Sequence, residues 1–253
     1  MPLEIVTIPC LSDNYAFLAR DAATGRTALI DVPEADPVLA ELAQRGWGLD
    51  EVWITHHHWD HVQGLAEVLR AHPAPVTGAR DDAHRLPPLD RALADGDGFA
   101  FGETQMQVWD VSGHTVGHIA FIGGGAAFTA DSLMALGCGR VFEGTMPQMF
   151  ASLARFKALP RDTMICSGHE YTTANGAFAI TVDPENAALQ ARIADVAQAR
   201  AAGRATVPSA LGLELDTNPY LRADDAAIAA HLGMAGAAPV DVFAEIRTRK
   251  DNF

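Results

Sequence analysis

The chain has 253 residues, 49% of them hydrophobic, which is enough for one large domain or a domain with an appendage. No run of ~18 apolar residues occurs, so no membrane span is expected. The formal net charge of −14 repels phosphate backbones and argues against nucleic acid as a partner. The start of the chain shows neither the basic segment nor the apolar core of a secretory signal. The cysteines, Cys10, Cys138 and Cys166, are sparse and suit reduced thiols better than a disulfide framework. A cytoplasmic protein is therefore expected, and the charge suggests a monomer.

The first two thirds of the chain are rich in strand signals. Residues 4–8, 15–19 and 27–31 are short apolar runs broken by turn residues, with Gly25 marking a hairpin between the last two. A helix is expected from Asp36-Pro37 to Arg45, with Asp36 as cap and Pro37 in the first position. Residues 51–54 read as a buried strand, and 62–69 as an amphipathic helix.

Between them lies Thr55-His56-His57-His58-Trp59-Asp60-His61. A tag would sit at a terminus, and a low-complexity metal tract would be less ordered. His56, His58 and Asp60 alternate, so an extended loop would point all three one way, with His61 turning back at its end. Imidazole and carboxylate together suit Zn, Fe or Mn. A strand-to-helix loop is also a usual place for chemistry.

Strands are expected at residues 105–109, 118–122 and 126–129, with Gly123-Gly124-Gly125 as the turn between the last two. A helix is expected over 147–159 and a strand over 163–166. After Tyr171 the character changes. Asp183-Pro184-Glu185 opens an Ala-rich helix reaching Ala202, and further helices fit 223–231 and 241–249. The C-terminal third is therefore expected to be helical.

Three more candidate ligands follow strand signals: His114 between glycines, Asp131 after residues 128–130, and His169 beside Gly168. Taken singly, Asp131 could be a helix cap and either histidine a structural one. Taken together, strand ends at one sheet edge converge in space. With His56, His58, Asp60 and His61 they make seven ligands, more than one catalytic metal takes, and they suit two metals with a bridging carboxylate. His57 and His118 are then spare, His57 pointing away and His118 inward. The basic stretch 246–251 fits a solvated helix end or an anion-binding role.

These motifs, in this order, resemble the metallo-β-lactamase superfamily. The chain further resembles the hydroxyacylglutathione hydrolase (glyoxalase II) family over nearly its whole length. Ser12-Asp13-Asn14-Tyr15, the segment 137–145 with Gly-Cys-Gly, Gly168 to Thr172, Asn218 to Arg222 and the basic C-terminus carry that resemblance. It implies an α/β class, four-layer αβ/βα fold over residues 1–168 and a helical, glutathione-binding domain over 169–253. It implies two divalent ions, Zn foremost and Fe or Mn acceptable. One would be held by His56, His58 and His114, the other by Asp60, His61 and His169, with Asp131 bridging.

The family's substrate positions fall on Arg140, Phe142, Tyr171, Arg247 and Lys250. Two of these depart from the usual pattern. Arg140 stands where lysine is common, exchanging a point charge for a planar fork. Phe142 stands where a tyrosine is common and loses a hydroxyl. The implied reaction is hydrolysis of S-(2-hydroxyacyl)glutathione, with lactoylglutathione giving D-lactate in the second step of methylglyoxal detoxification. A hydroxide bridging the metals would attack, and Asp60 and Asp131 would be the catalytic carboxylates. The alternatives are a mononuclear-iron persulfide dioxygenase, another hydrolase of this fold such as a lactonase, or a metal-dependent binding module without turnover.

Overall fold

The computed structural model describes residues 2–253. The chain divides into two compact units. The first runs to Val111 and takes in Val116–Ala130; the second comprises Ser112–Thr115 and Asp131–Phe253.

In the first unit, β1 (Glu4–Cys10), β2 (Asn14–Arg20) and β3 (Thr27–Ile30) form an antiparallel meander, with Phe17 opposite Ile30 and Tyr15 opposite Pro9. The sheet then turns parallel. That pairing needs crossover connections, and α1 (Ala35–Arg45) supplies the one leading to β4 (Glu51–Trp53). Two short helices, α2 (Trp59–Val62) and α3 (Leu65–Ala71), lead on to β5 (Val76–Ala79), which pairs with β6 (Arg91–Leu93).

A second sheet, antiparallel throughout, is built from β7 (Gly98–Phe101), β8 (Thr104–Asp110), β9 (Ile119–Gly123) and β10 (Ala126–Ala130). The two sheets meet over aromatic side chains. Trp53 is fully buried, with its ring 5.0 Å from Phe101, 5.2 Å from Phe99 and 5.3 Å from Phe121.

Two expectations need correction here. The N-cap position of α1 belongs to Glu34, and Asp36 and Pro37 lie inside the first turn. An acid there meets the positive end of the helix, and a proline there removes an N–H that has no helical acceptor. The single amphipathic helix expected over 62–69 is broken at Gly64. A Cβ on Gly64 would stand 2.8 Å from the Ala35 nitrogen, so the chain approaches α1 too closely for any side chain.

In the second unit, β11 (Leu133–Met134) and β12 (Gly137–Cys138) form a small hairpin. Next comes α4 (Met146–Phe156), which opens with a capping box between Thr145 and Gln148. β13 (Met164–Ser167) follows, paired with β14 (Ser209–Ala210). The remainder is helical: α5 (Thr172–Val182), α6 (Ala187–Ala201), α7 (Leu211–Thr217), α8 (Ala226–His231) and α9 (Pro239–Asp251).

The Asn186 side chain accepts from the Leu189 N–H at 3.1 Å, so α6 starts just past the Asp183-Pro184 signal. The buried side chains Leu136, Ala179 and Leu189 pack together. Beside them Glu214 receives Arg192, the Ser209 hydroxyl at 2.5 Å and the Leu136 N–H at 2.9 Å.

Candidate metal centre

Each unit contributes a cluster at the ends of its strands. In the first unit, His56 and His61 are fully buried, and their rings lie 4.2 Å apart; the His58 ring is 4.8 Å from His56. Asp31 organises this cluster. It follows β3 with a positive φ of 55°, a conformation that costs a non-glycine residue energy and recurs at functional sites. Its carboxylate accepts from the Thr55 N–H at 2.9 Å and the Thr55 hydroxyl at 2.8 Å, and contacts His61 Nδ1 at 2.9 Å. The Thr55 hydroxyl in turn meets His56 Nδ1 at 3.0 Å.

Both imidazoles are therefore engaged through Nδ1, which leaves Nε2 as the donor toward a cation. That arrangement is the usual support behind a metal-binding histidine. The alternation expected for Asp60 is replaced by a helical turn, because Asp60 lies in α2. Its Oδ2 accepts from the Asn14 side chain at 3.0 Å and stands 3.8 Å from His61 Nε2. His57 turns to Asp82 at 2.8 Å, and His118 is buried with its ring stacked on His56 at 4.6 Å.

In the second unit, Asp131 follows Ala130, whose φ of 40° bends the chain sharply where β10 ends. Asp131 Oδ2 lies 3.4 Å from His114 Nε2 and 3.3 Å from His169 Nε2. One carboxylate oxygen thus faces two imidazole nitrogens. His114 Nδ1 donates to the Arg140 carbonyl at 2.8 Å, which again turns Nε2 inward. Gly139 makes this possible: a Cβ there would sit 1.9 Å from the Asp131 carbonyl oxygen and 2.9 Å from His114 Nδ1. Histidine nitrogens and carboxylate oxygens, buried and held from behind, fit divalent metal ions.

The five positions expected to meet substrate also fall in the second unit. Phe142 is exposed and sets its ring 5.3 Å from His114, while Tyr171 stacks on His169 at 4.7 Å. Arg140 donates to Asp251 through Nε at 3.0 Å. Arg247 is buried; it donates to the Cys138 carbonyl at 3.0 Å and pairs with Asp251 at 2.9 Å. Lys250 donates to the Ala174 carbonyl at 3.1 Å. Burial, and then the Arg247 charge, lower the Lys250 pKa below the usual lysine value. The basic stretch thus lies within the last two turns of α9, and its Arg247 is buried.

Sequence reasoning gave Asp31 no part in the site, and named Asn14, Gly139 and Asp251 only within family motifs, without a role. Asp31 had the same signal as Asp131, an acid directly after an apolar strand.

A family model described as the metallo-beta-lactamase superfamily matches residues 14–169, and one for the hydroxyacylglutathione hydrolase C-terminus matches residues 170–253. A hydroxyacylglutathione hydrolase from Ruegeria pomeroyi is 64% identical over 100% of both chains. Among solved structures, ETHE1 from Myxococcus xanthus superposes with a TM-score of 0.68 at 24% identity, over 98% of this chain and 90% of that one. TTHA1623 in a di-iron-bound form gives a TM-score of 0.62 at 25% identity, over 86% of this chain and 100% of that one. The expected fold class holds: this is a metallo-β-lactamase fold with a C-terminal helical region. The chain belongs to the hydroxyacylglutathione hydrolase family of the metallo-β-lactamase superfamily.

Proposed function

We propose that the chain hydrolyses S-(2-hydroxyacyl)glutathione, with lactoylglutathione and water giving D-lactate and glutathione, the second step of methylglyoxal detoxification. Full-length identity to a hydroxyacylglutathione hydrolase supports this reading. The observation that carries it is Asp131 Oδ2 facing both His114 Nε2 and His169 Nε2, which suits a carboxylate shared between two ions. His56, His58 and His114 would hold one ion, Asp60, His61 and His169 the other, and Asp131 would bridge them. The di-iron form of TTHA1623 accords with two metals; zinc is our choice for this chain, with iron or manganese compatible with the same donors.

When bound, two divalent ions lower the pKa of water and polarise the thioester carbonyl. Residues of the chain do the rest. Asn14 fixes the Asp60 carboxylate, and Asp60 can orient the attacking water by accepting its hydrogen bond. Asp31 and Thr55 hold the His61 and His56 rings against rotation. Thiolate leaves readily, so no strong general acid is needed. Arg140 and Lys250 offer positive charge to the glutathione carboxylates, and Phe142 and Tyr171 offer apolar surface beside the candidate ligands. We assign the catalytic domain to residues 1–168 and the helical glutathione-binding domain to 169–253, with His169 of the latter serving as a metal ligand and Arg140 and Phe142 of the former serving glutathione. The working state we propose is a cytoplasmic monomer; its cysteines are buried free thiols, in keeping with a reducing compartment.

The test is metal-loaded protein given lactoylglutathione in an oxygen electrode, with thiol release followed by a colorimetric reagent. Stoichiometric thiol release without oxygen uptake is expected. Oxygen uptake, or no turnover with metal bound, would overturn the assignment.

A further inference from the structure

Asp251, in the last turn of α9, is an acid within the most basic stretch of the chain. An acid beside a site that binds carboxylates is unfavourable on charge alone, so its contacts need a reason. Its Oδ1 receives Arg140 Nε at 3.0 Å and Arg247 Nη2 at 2.9 Å, and its backbone carbonyl accepts from Arg140 Nη2 at 3.3 Å. Arg140 thus spends one edge of its guanidinium, Nε with Nη2, on Asp251.

The Nη1 end of the fork has no protein hydrogen-bond partner among the described residues, and the Arg140 side chain is 51% exposed. Arg247 is the opposite case. Its side chain is 7% exposed, and its two Nη groups go to Asp251 and the Cys138 carbonyl. The run from the Cys138 carbonyl through Arg247 and Asp251 to Arg140 ties α9 to the Gly137–Cys138 strand and ends on a half-used fork.

We propose that Asp251 is a positioning residue for substrate binding. It holds one edge of the Arg140 guanidinium, so that the other edge meets a glutathione carboxylate in a fixed, two-pronged orientation. Arg247 braces the same carboxylate. This gives the Arg140 departure a use, since a lysine ammonium has one nitrogen and lacks a second edge to share in this way. The inference rests on the glutathione reading above.

The test measures S-methylglutathione affinity by calorimetry and steady-state turnover of lactoylglutathione, on metal-loaded full-length protein. The variants are Asp251→Ala, Asp251→Asn, Arg140→Ala and the double Asp251→Ala/Arg140→Ala. Positioning predicts that Asp251→Ala weakens S-methylglutathione binding and raises KM by about tenfold, with kcat within about twofold and metal content unchanged; each tenfold change is about 1.4 kcal/mol. Asp251→Asn keeps an acceptor oxygen and should recover most of the loss. In the Arg140→Ala background, Asp251→Ala should change KM no further.

Tighter binding in Asp251→Ala would overturn the proposal, because that is the result of removing a merely repulsive charge. Equal losses in both backgrounds would also overturn it. Should Asp251→Ala fail to fold, Asp251→Leu, which keeps side-chain volume but has no acceptor, combined with Arg140→Ala gives the same coupling. Absent turnover in the parent protein counts against the glutathione reading alone, since the calorimetric coupling still decides the role of Asp251.

Discussion

Asp31 shows how much of the site depends on residues that need not touch a metal. Its carboxylate joins the Thr55 backbone, the Thr55 hydroxyl and His61 Nδ1, so it fixes the direction of a ring it does not otherwise resemble a partner for. Asp31→Asn should lower metal affinity by about 10–100-fold while leaving the fold intact. Competition with a chromophoric chelator measures this, and an unchanged affinity would remove Asp31 from the site. The candidate ligands themselves were legible in the sequence, because His56, His58, Asp60 and His61 fall within seven residues and His114, Asp131 and His169 each follow a strand signal. Asp31 was not, and Asn14 appeared only within a family motif, because a residue that works through a hydrogen bond to another side chain leaves no spacing to read. Gly139 was legible only as part of a family motif; its reason, a Cβ 1.9 Å from the Asp131 carbonyl, is a fact of packing.

Among the elements, the turns between strands hold the sandwich in register. Asp21 lies just after β2 and reaches the β7–β8 turn. Burial works to raise its pKa, but hydrogen bonds from the Thr104 and Thr24 hydroxyls and from the Thr24 and Glu103 N–H groups win, and hold it at about 2 against an ordinary 3.8. A depressed carboxyl pKa stabilises the fold above the ordinary value, and that stabilisation is lost as pH falls through the native one. Urea unfolding should therefore show a loss of stability between about pH 4 and pH 2 that is smaller in Asp21→Asn. Equal losses in both proteins would contradict this.

In the second unit, Glu214 is fully buried against Arg192, Ser209, Asn218 and the Leu136 N–H. Glu214→Ala leaves the Arg192 charge uncompensated and should cost about 3–5 kcal/mol in urea unfolding. A cost below about 1 kcal/mol, as for an exposed pair, would show that the network is not stabilising. The helix carrying Glu214, α7, and the apolar α5 gave no sequence signal. α7 spans only seven residues, and α5 exposes only alanine and threonine (Thr173, Ala174, Ala177, Thr181), so it lacks the polar-to-apolar contrast that marks a surface helix. α9 was legible, but its inward face was not. Ile246 is fully buried and Arg247 nearly so, so truncating α9 after Glu245 would remove part of the core, and substitutions at Arg140, Lys250 and Asp251 are the cleaner probes of binding.

For the molecule as a whole, a net charge of −14 makes any anion site a local exception. Arg140, Arg247 and Lys250 supply that exception within the second unit, where Asp251 balances part of their charge. Binding of glutathione carboxylates through exposed Arg140 should weaken as salt rises, because exposed charges are screened. No helix among the described residues is long and apolar enough to cross a membrane.

The proposed chemistry needs two ions acting together, with His56, His58, Asp60, His61, His114, Asp131 and His169 as their proposed ligands. Chelated protein titrated with zinc and assayed on lactoylglutathione tests this most directly. Activity that saturates at two equivalents per chain, and an Asp131→Ala variant that neither retains two ions nor turns over, are the predicted results. Full activity at one equivalent, or normal turnover in Asp131→Ala, would contradict the binuclear site.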